Sequence, residues 1–179
     1  DLLADEKVEA SLILGGSANT SVASYIINNV VLPKKFSMGF FSPDRDAVVD
    51  NAGSEVDDIV AYCDALPSTS FAFLDTGWKY TYDKYNDVYR YVPLNGDVAG
   101  CCVRTDQVAE PWFSPAGATR GAIKNVVKLA FNPTQAQRDD LYRQGINPVV
   151  SFPGQGTILW GDKTLLSKPS AFDRINVRR

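Results

Sequence analysis

The first 75 residues alternate short apolar runs with amphipathic stretches, and this alternation constrains the fold more than any other feature of the chain. The runs VEASLIL, FSMGFF and TSFAFL begin at Val8, Phe36 and Thr69, and each has the length and composition of a strand. Two stretches of helical period, each ended by a proline, separate the runs. Parallel strands require crossovers of about this length, so the sequence predicts a βαβαβ unit over about residues 8–75.

The first of the two helical stretches runs from about residue 20 to residue 32. Its apolar positions at helical spacing are Val22, Tyr25, Ile26 and Val30. These four side chains are therefore predicted to form the face that packs on the sheet.

The periodicity changes after residue 76. In WKYTYDKYNDVYRYVPL, aromatic and apolar residues alternate with polar ones on both sides of the turn-like stretch 83–87, which predicts an antiparallel hairpin over about residues 77–92. Downstream we expect a helix from about Asn95 to Ala109, a strand at 126–131, a helix capped by Asn132, and strands at 147–152 and 157–160. The predicted fold class is α/β, with a mixed, largely parallel sheet flanked by helices and an antiparallel Tyr-rich hairpin.

Composition and chain ends bear on the domain organisation. The chain has 179 residues, of which 45% are hydrophobic and 22% charged, which is enough for one sizeable core. It starts at Asp1 and stops just after an Ile175/Val177 alternation typical of a strand. We expect residues 1–179 to be a single α/β domain from a longer multidomain chain. No apolar run approaches the ~20 residues of a membrane span, so membrane insertion is not predicted.

The residue types that carry most nucleophilic and metal chemistry are scarce. Histidine is absent, which excludes Ser-His-Asp and Cys-His systems and removes the commonest metal ligand. The three cysteines are Cys63 and the adjacent pair Cys101 and Cys102, without the C-x-x-C spacing of a zinc site. Buried, reduced thiols are the expected state.

The stretch GQGTILWGDKT comes close to the phosphate loop of nucleotide hydrolases. However, Asp162 stands where that loop has its lysine, and it displaces Lys163 by one position. The residues 157–160 between the glycines are β-branched or apolar, which is typical of a buried strand. We therefore predict a strand at this place and no nucleotide site.

Two other functions are open from the residues alone. Three acidic residues that follow predicted strands, Asp44, Asp46 and Asp75, could bind Mg²⁺ for phosphoryl transfer, although solvated loop carboxylates are the simpler interpretation. Tyrosines of the hairpin could stack on sugars as a carbohydrate-binding module, although cross-strand packing is the commoner use of such a face. These tyrosines are Tyr80, Tyr82, Tyr89 and Tyr91.

Charge is distributed unevenly along the chain. Residues 1–90 carry 7 basic and 14 acidic side chains, a net charge of −7, and residues 91–179 carry 11 and 7, a net charge of +4. The basic residues are too scattered for a nucleic-acid footprint, and the asymmetry either disappears in the fold or forms complementary surfaces between neighbouring copies. The candidate inter-subunit contacts are Arg120, Lys124, Lys128, Arg138, Arg143 and Lys163 on the basic side and Asp44, Asp46, Asp50, Asp57 and Asp58 on the acidic side.

The segment EPWFSPAGATRG is predicted to be a fold-determining loop. Pro111 and Pro115 fix φ, Gly117 allows a positive φ, and Trp112 and Phe113 supply apolar area. We expect Trp112 to be a core residue that anchors this loop.

Three segments of the second half carry a family resemblance. They are Pro-Trp-x-x-Pro-Ala-Gly within EPWFSPAGATRGAIKNV, an Asn-Pro strand pair that runs through FPGQG into WGDKT, and AFDRINVRR. Over about residues 110–179 the chain resembles the tail sheath proteins of contractile-tailed bacteriophages, closest to the T-even myophage type, and more loosely so over the rest.

The resemblance implies a structural subunit and not an enzyme, without a cofactor. Such subunits stack as six-membered rings around a tail tube and contract to drive the tube through the host envelope. The implied partners are other copies of the chain, the tail tube protein, and the baseplate and tail terminator proteins. The implied location is the virion tail, after assembly in the bacterial host cytoplasm, and the chain corresponds to the conserved inner part of the subunit.

Overall fold

A computed structural model describes residues 8–167 and 170–177. The helices are α1 (Thr20–Ile26), α2 (Leu32–Lys34), α3 (Arg45–Val48), α4 (Glu55–Asp64), α5 (Asn95–Val108) and α6 (Gln135–Arg143). The strands are β1 (Leu12–Leu14), β2 (Met38–Phe41), β3 (Ala72–Leu74), β4 (Trp78–Asp83), β5 (Val88–Pro93), β6 (Ala122–Ile123), β7 (Lys128–Leu129), β8 (Val149–Phe152) and β9 (Gly156–Leu159).

The βαβαβ unit forms as predicted. Strands β1, β2 and β3 make a parallel sheet in that order, with Ile13 opposite Gly39 and Phe40 opposite Phe73. Helices α1 and α4 lie in the two crossovers. Buried residues occupy both faces of β2 and β3, which explains why these strands are continuous apolar runs.

The predicted buried face of the first helix is partly wrong. The side chain of Asn19 caps α1 by accepting a hydrogen bond from the N–H of Val22, and the helix continues through a π-helical stretch, Ile27–Val31, into α2. Its buried residues are Ala23, Ile27, Val30 and Val31, whereas Val22 and Tyr25 are about half exposed. The helix carries apolar residues on more than one side. The wider π-helical turn also changes which residues point to the sheet, so helical spacing alone predicted the wrong buried face.

The prediction of one largely parallel sheet is wrong, because two of the three sheets of the described chain are antiparallel. One has the order β5-β4-β7 and contains the predicted hairpin, with Tyr80 opposite Tyr91. The other has the order β6-β9-β8. Of the predicted strand at 126–131, only Lys128–Leu129 forms a strand, β7, which pairs with β4; the N–H groups of Val127 and Ala130 on either side also donate to carbonyl oxygens of β4. Pairs this short leave little periodic signal in a sequence.

The two larger hydrophobic clusters of the described residues lie on opposite faces of the parallel sheet, and a smaller third cluster contains Ile13, Val30 and Val31. Phe41 and Leu74 point to the first cluster, with residues of α1, α4 and α6. Phe40 and Phe73 point to the second, with residues of α5 and the β6-β9-β8 sheet. Both halves of the chain contribute to both clusters, so the acidic and basic halves interleave in one body.

The caps and ends of the later helices refine the predictions. Helix α5 agrees with the predicted span, and its Cys101 and Cys102 are buried. Helix α6 is capped by Thr134 and not by Asn132, since Thr134 and Gln137 form a reciprocal capping box. Across residues 8–167 and 170–177, each helix is too short or too polar to cross a bilayer.

Candidate functional site

Asn147 joins the end of the parallel sheet to the segment that follows β9. Its side-chain Nδ2 donates to the carbonyl oxygen of Leu74 at 3.0 Å and to that of Lys163 at 2.7 Å, and its Oδ1 accepts from the N–H of Lys163 at 2.7 Å. Gly161 lies so close that an added Cβ would be 2.7 Å from this Oδ1. A buried amide with these partners holds the two segments in one register.

The carboxylate of Asp162 is the centre of a second polar cluster. It is buried, and it accepts hydrogen bonds from Ser114 Oγ at 2.8 Å and from the Tyr142 hydroxyl at 3.3 Å. Arg174 lies 3.3 Å from the same carboxylate and also donates to the Tyr142 hydroxyl at 2.9 Å. Burial, followed by the negative charge of Asp162, raises the pKa of Tyr142, so its phenol stays protonated and acts as donor and acceptor.

Lys163 and Thr164 bind the last described segment to the body. Lys163 Nζ donates to the carbonyl oxygen of Tyr142 at 3.0 Å and lies 4.2 Å from the centre of its ring and 3.9 Å from the Asp173 carboxylate. The N–H and the hydroxyl of Thr164 both donate to the carbonyl oxygen of Asp173. Val177 is buried in the second core cluster.

The three segments that carried the family resemblance therefore meet at one place. The loop 110–121, the strand pair with its WGDKT extension, and the segment 171–177 are linked through Asn147 and Asp162. Each segment could be singled out from the sequence, but their junction could not, because its partners lie up to 60 positions apart. We call this set the motif junction; it consists of Ser114, Tyr142, Asn147, Asp162, Lys163, Asp173 and Arg174.

The predicted strand within GQGTILWGDKT is confirmed. Thr157, Ile158 and Leu159 are buried in β9, the central strand of its sheet. Because Asp162 is bonded to Ser114 and Tyr142, this stretch is a structural element of the fold and does not form a phosphate loop.

The three acidic residues of the metal hypothesis do not form a site. Asp75 is fully buried and accepts hydrogen bonds from Ser42 Oγ and from the N–H of Gly77, both at 2.8 Å, whereas Asp46 is almost fully exposed. Burial raises the pKa of Asp75 to about 8, against the opposing effect of these two hydrogen bonds. Within the described residues, the acidic and cysteine side chains form no group able to hold a metal ion.

The tyrosines of the hairpin pack on one another. Tyr80 lies 4.8 Å from Tyr91 and 5.5 Å from Tyr89 between ring centroids, and Tyr82 lies 5.1 Å from Tyr89. Lys128 is placed over the ring of Tyr80. This arrangement is the cross-strand packing of a hairpin face and gives the carbohydrate hypothesis no support.

The prediction that Trp112 is a core residue is wrong, because its side chain is 62% exposed. Other features of the loop agree with expectation: Pro115 is buried, and Gly117 has φ +95° and donates its N–H to Leu159. Pro111 is half-buried. The loop is fixed by polar contacts and backbone geometry, which hydrophobicity could not reveal.

The basic residues predicted as inter-subunit contacts fall into two groups. Arg120 and Lys163 donate to backbone carbonyl oxygens of the chain, Arg120 to that of Ser114 at 2.7 Å and Lys163 to that of Tyr142 at 3.0 Å, and their contact with a second subunit stays a prediction. The others are Lys124, Lys128, Arg138 and Arg143. Arg138 is half-buried over the Phe152 ring, and the other three are exposed, with Arg143 3.2 Å from the carboxylate of Asp140 on the same helix.

The acidic candidates lie together around α3 and α4. Asp46, Asp50, Asp57 and Asp58 are exposed, and Asp44 is half-buried. Burial and the neighbouring Asp46 raise the pKa of Asp44.

Comparison with known proteins identifies relatives over most of the chain. The family model of the phage tail sheath protein central domain matches residues 12–165. The chain is 44% identical to the tail sheath protein of Enterobacteria phage T4 over 196 aligned positions, and 44% identical to that of Vibrio phage KVP40 over 201 positions. Each alignment covers 100% of this chain and 30% of the relative, so the chain spans less than a third of the length of these proteins.

Solved structures share the fold. The helical sheath of the anti-feeding prophage in its contracted state is similar with a TM-score of 0.71 at 19% identity, over 99% of this chain and 46% of the other. The contracted sheath complex of the extracellular contractile injection system PVC is similar with a TM-score of 0.67 at 20% identity, over 89% of this chain and 40% of the other.

Proposed function

We propose that this chain, which belongs to the phage tail sheath protein family, is the central part of a contractile tail sheath subunit. The subunit polymerises as stacked six-membered rings around a tail tube and contracts to drive the tube through the host envelope. The observation that carries the proposal is the match of residues 12–165 to the sheath central domain, with 44% identity to two tail sheath proteins. In this role the chain is structural and uses no cofactor.

The proposed partners follow from the same role. They are other copies of the subunit, the tail tube protein, and the baseplate and tail terminator proteins. Among the similar structures are an anti-feeding prophage baseplate and a helical sheath, which supports assembly into such complexes. The proposed location is the virion tail after assembly in the host cytoplasm, with no nucleic-acid ligand and no membrane insertion.

The motif junction suits a domain that moves as one unit during contraction. Asp162 and Asn147 tie together segments that a sliding lattice would otherwise pull apart. We infer that residues 1–179 form one α/β domain of a longer multidomain subunit, and that contraction changes contacts between subunits more than contacts inside this domain.

The exposed charged residues are suited to weak contacts between subunits that can exchange when the packing of the sheath changes. The basic candidates are on the second half of the chain, and the acidic candidates surround α3 and α4. Exposed ion pairs are worth roughly 0–1 kcal/mol each and are screened by salt over ~8–10 Å, so they select a register without locking it.

The proposal is tested by expressing the full-length protein and examining it by negative-stain electron microscopy at low and high salt. Hollow tubes are expected. The double charge reversal Lys124→Glu and Arg143→Glu should slow tube formation at low salt, whereas Lys84→Glu on the hairpin turn serves as a matched control. Dispersed particles under all conditions would count against the function, and normal tubes from the double variant would count against these charged contacts alone.

A further inference from the structure

Three aromatic side chains are exposed beside the motif junction. Trp112 and Phe113 lie in the loop before β6, and Trp160 directly follows β9; each is at least 44% exposed. The Ser114–Asp162 hydrogen bond brings the ends of these two segments together. We call Trp112, Phe113 and Trp160 the aromatic ledge.

The ledge is held rigidly and carries positive charge. Arg120 donates to the carbonyl oxygen of Ser114 and lies 5.3 Å from the Phe113 ring centre. Phe152 packs edge-on against Trp160 at 5.3 Å, and Arg138 lies over the Phe152 ring at 5.4 Å. Exposed tryptophan beside arginine, on a loop already fixed before binding, is the composition and preorganisation typical of binding hot spots.

A cleft with acidic residues at its rim lies elsewhere on the chain. It has a volume of about 420 Å³ and is formed by α3, α4 and the start of α1. Its apolar lining is Ala47, Ala61 and Tyr62, and its rim carries Asp44, Asp46 and Asp58. Tyr62 is 4% exposed and forms the floor of the cleft, with its hydroxyl donating to the carbonyl oxygen of Ala18.

The carboxylates of this cleft crowd one another. The negative charge of Asp46 acts on Asp44 and raises its pKa. Among the ion pairs of the described residues, Asp46 has one cationic partner, the exposed Arg45 at 3.5 Å. A cation delivered from outside would relieve this repulsion, and the apolar lining would cover an aromatic ring.

We propose that the aromatic ledge of one subunit docks into the acidic cleft of a second copy of the chain. This inference rests on the proposed function and names one of its inter-subunit contacts. The cleft is formed by the start of α1 and by α3 and α4, whereas the ledge is formed by the loop before β6 and the residue after β9, so the two surfaces consist of different residues. A ledge and a cleft made of different residues pair head to tail, which is the geometry that extends a polymer without closing it.

A cross-linking experiment on the full-length protein tests the contact. Glu110→Cys places a thiol next to the ledge and preserves Trp112, and Ala61→Cys places one in the cleft, both in a Cys63→Ser background. In assembled tubes treated with a short bismaleimide, the double-cysteine variant should give a ladder of covalent dimers, trimers and larger species. A variant with only one of the two introduced cysteines should stay monomeric on a denaturing gel.

A second variant measures the energetic importance of the ledge. Trp112→Ala should raise the protein concentration needed for tube formation at least tenfold, whereas Val108→Ala, an exposed apolar residue at the end of α5, should not. Unchanged melting of unassembled Trp112→Ala protein separates this loss from misfolding. Tubes without a ladder, or Trp112→Ala tubes at the wild-type concentration, would overturn the ledge contact and leave the sheath function intact. If the unaltered protein forms no tubes, the proposed function itself fails.

Discussion

Ser114 donates a hydrogen bond to the buried carboxylate of Asp162 across 2.8 Å, although the two residues lie 48 positions apart in the chain. This contact attaches a proline-rich loop to the extension of the central strand of a sheet. The same carboxylate also faces Tyr142 and Arg174, so one side chain links α6, β9 and the segment 171–177. The mechanical integrity of this part of the domain depends on polar contacts as well as on the apolar core.

Asp162→Ala should lower the free energy of unfolding by about 1.5–3 kcal/mol, because it removes the acceptor of hydrogen bonds that involve a charged group. Urea denaturation followed by circular dichroism measures the change. Asp139→Ala, an exposed acidic residue on α6, is the control and should change stability by less than about 0.5 kcal/mol. Equal stability of the two variants would show that the junction is not stabilising.

Gly161→Ala should destabilise the domain, because the new Cβ would lie 2.7 Å from Asn147 Oδ1 and 3.0 Å from Asn147 Cα. We expect a loss of about 1–3 kcal/mol, as for other overpacked sites. Gly100→Ala is the matched control: it lies inside α5 with no atom within 4 Å of the added Cβ, so it should stabilise by about 0.5–1 kcal/mol. Opposite signs for the two variants are the expected result of thermal or urea unfolding.

Asp75 should make stability fall as pH rises. Its pKa is about 8 in the folded state and near the ordinary value of 3.8 when unfolded, so between these values the folded state holds a proton that the unfolded state has lost. The stabilising contribution is complete below about pH 4 and is lost progressively up to about pH 8. Urea unfolding of wild type and Asp75→Asn between pH 4 and pH 9 measures the difference, which should change through this window. If the difference in unfolding free energy between the two proteins did not change with pH, Asp75 would not be protonated in the folded state.

Trp112→Ala and Trp78→Ala should behave differently although both remove an indole. Trp78 is 6% exposed and donates its Nε1–H to the carbonyl oxygen of Pro43 at 2.8 Å, so its truncation should cost about 3–5 kcal/mol. Trp112 is mostly exposed, and its truncation should leave the melting temperature of the unassembled protein nearly unchanged. A large loss for Trp112→Ala would restore it as a core residue.

The sequence predicted those elements whose signal is local. The strands of the parallel unit and β9 are short apolar runs, the hairpin strands alternate between apolar and polar residues, and each of these elements is present. The split into three sheets was not predictable in this way, because β6 and β7 have two residues each and are defined by their partners. The first helix was misoriented because apolar residues surround it.

The candidate site shows the same division. Motifs such as WGDKT could be recognised one at a time, but the use of Asp162 and Asn147 as connectors depends on residues brought together by the fold. The prediction that Trp112 is buried was wrong because hydrophobicity alone does not say where an apolar side chain is buried. The covering surface can belong to the same chain or to a binding partner. The folded chain leaves Trp112 62% exposed, which its residue type alone could not indicate.

Helical reconstruction of tubes formed by the full-length protein tests the central claim most directly. The account predicts hollow tubes, with density in the tube wall into which this α/β domain fits as a rigid body with its three sheets and the motif junction unchanged. It also predicts repeated contacts between different faces of neighbouring copies. Tubes whose wall cannot accommodate the domain, or full-length protein that forms no tubular polymer with or without a tail tube, would contradict a role as a sheath subunit.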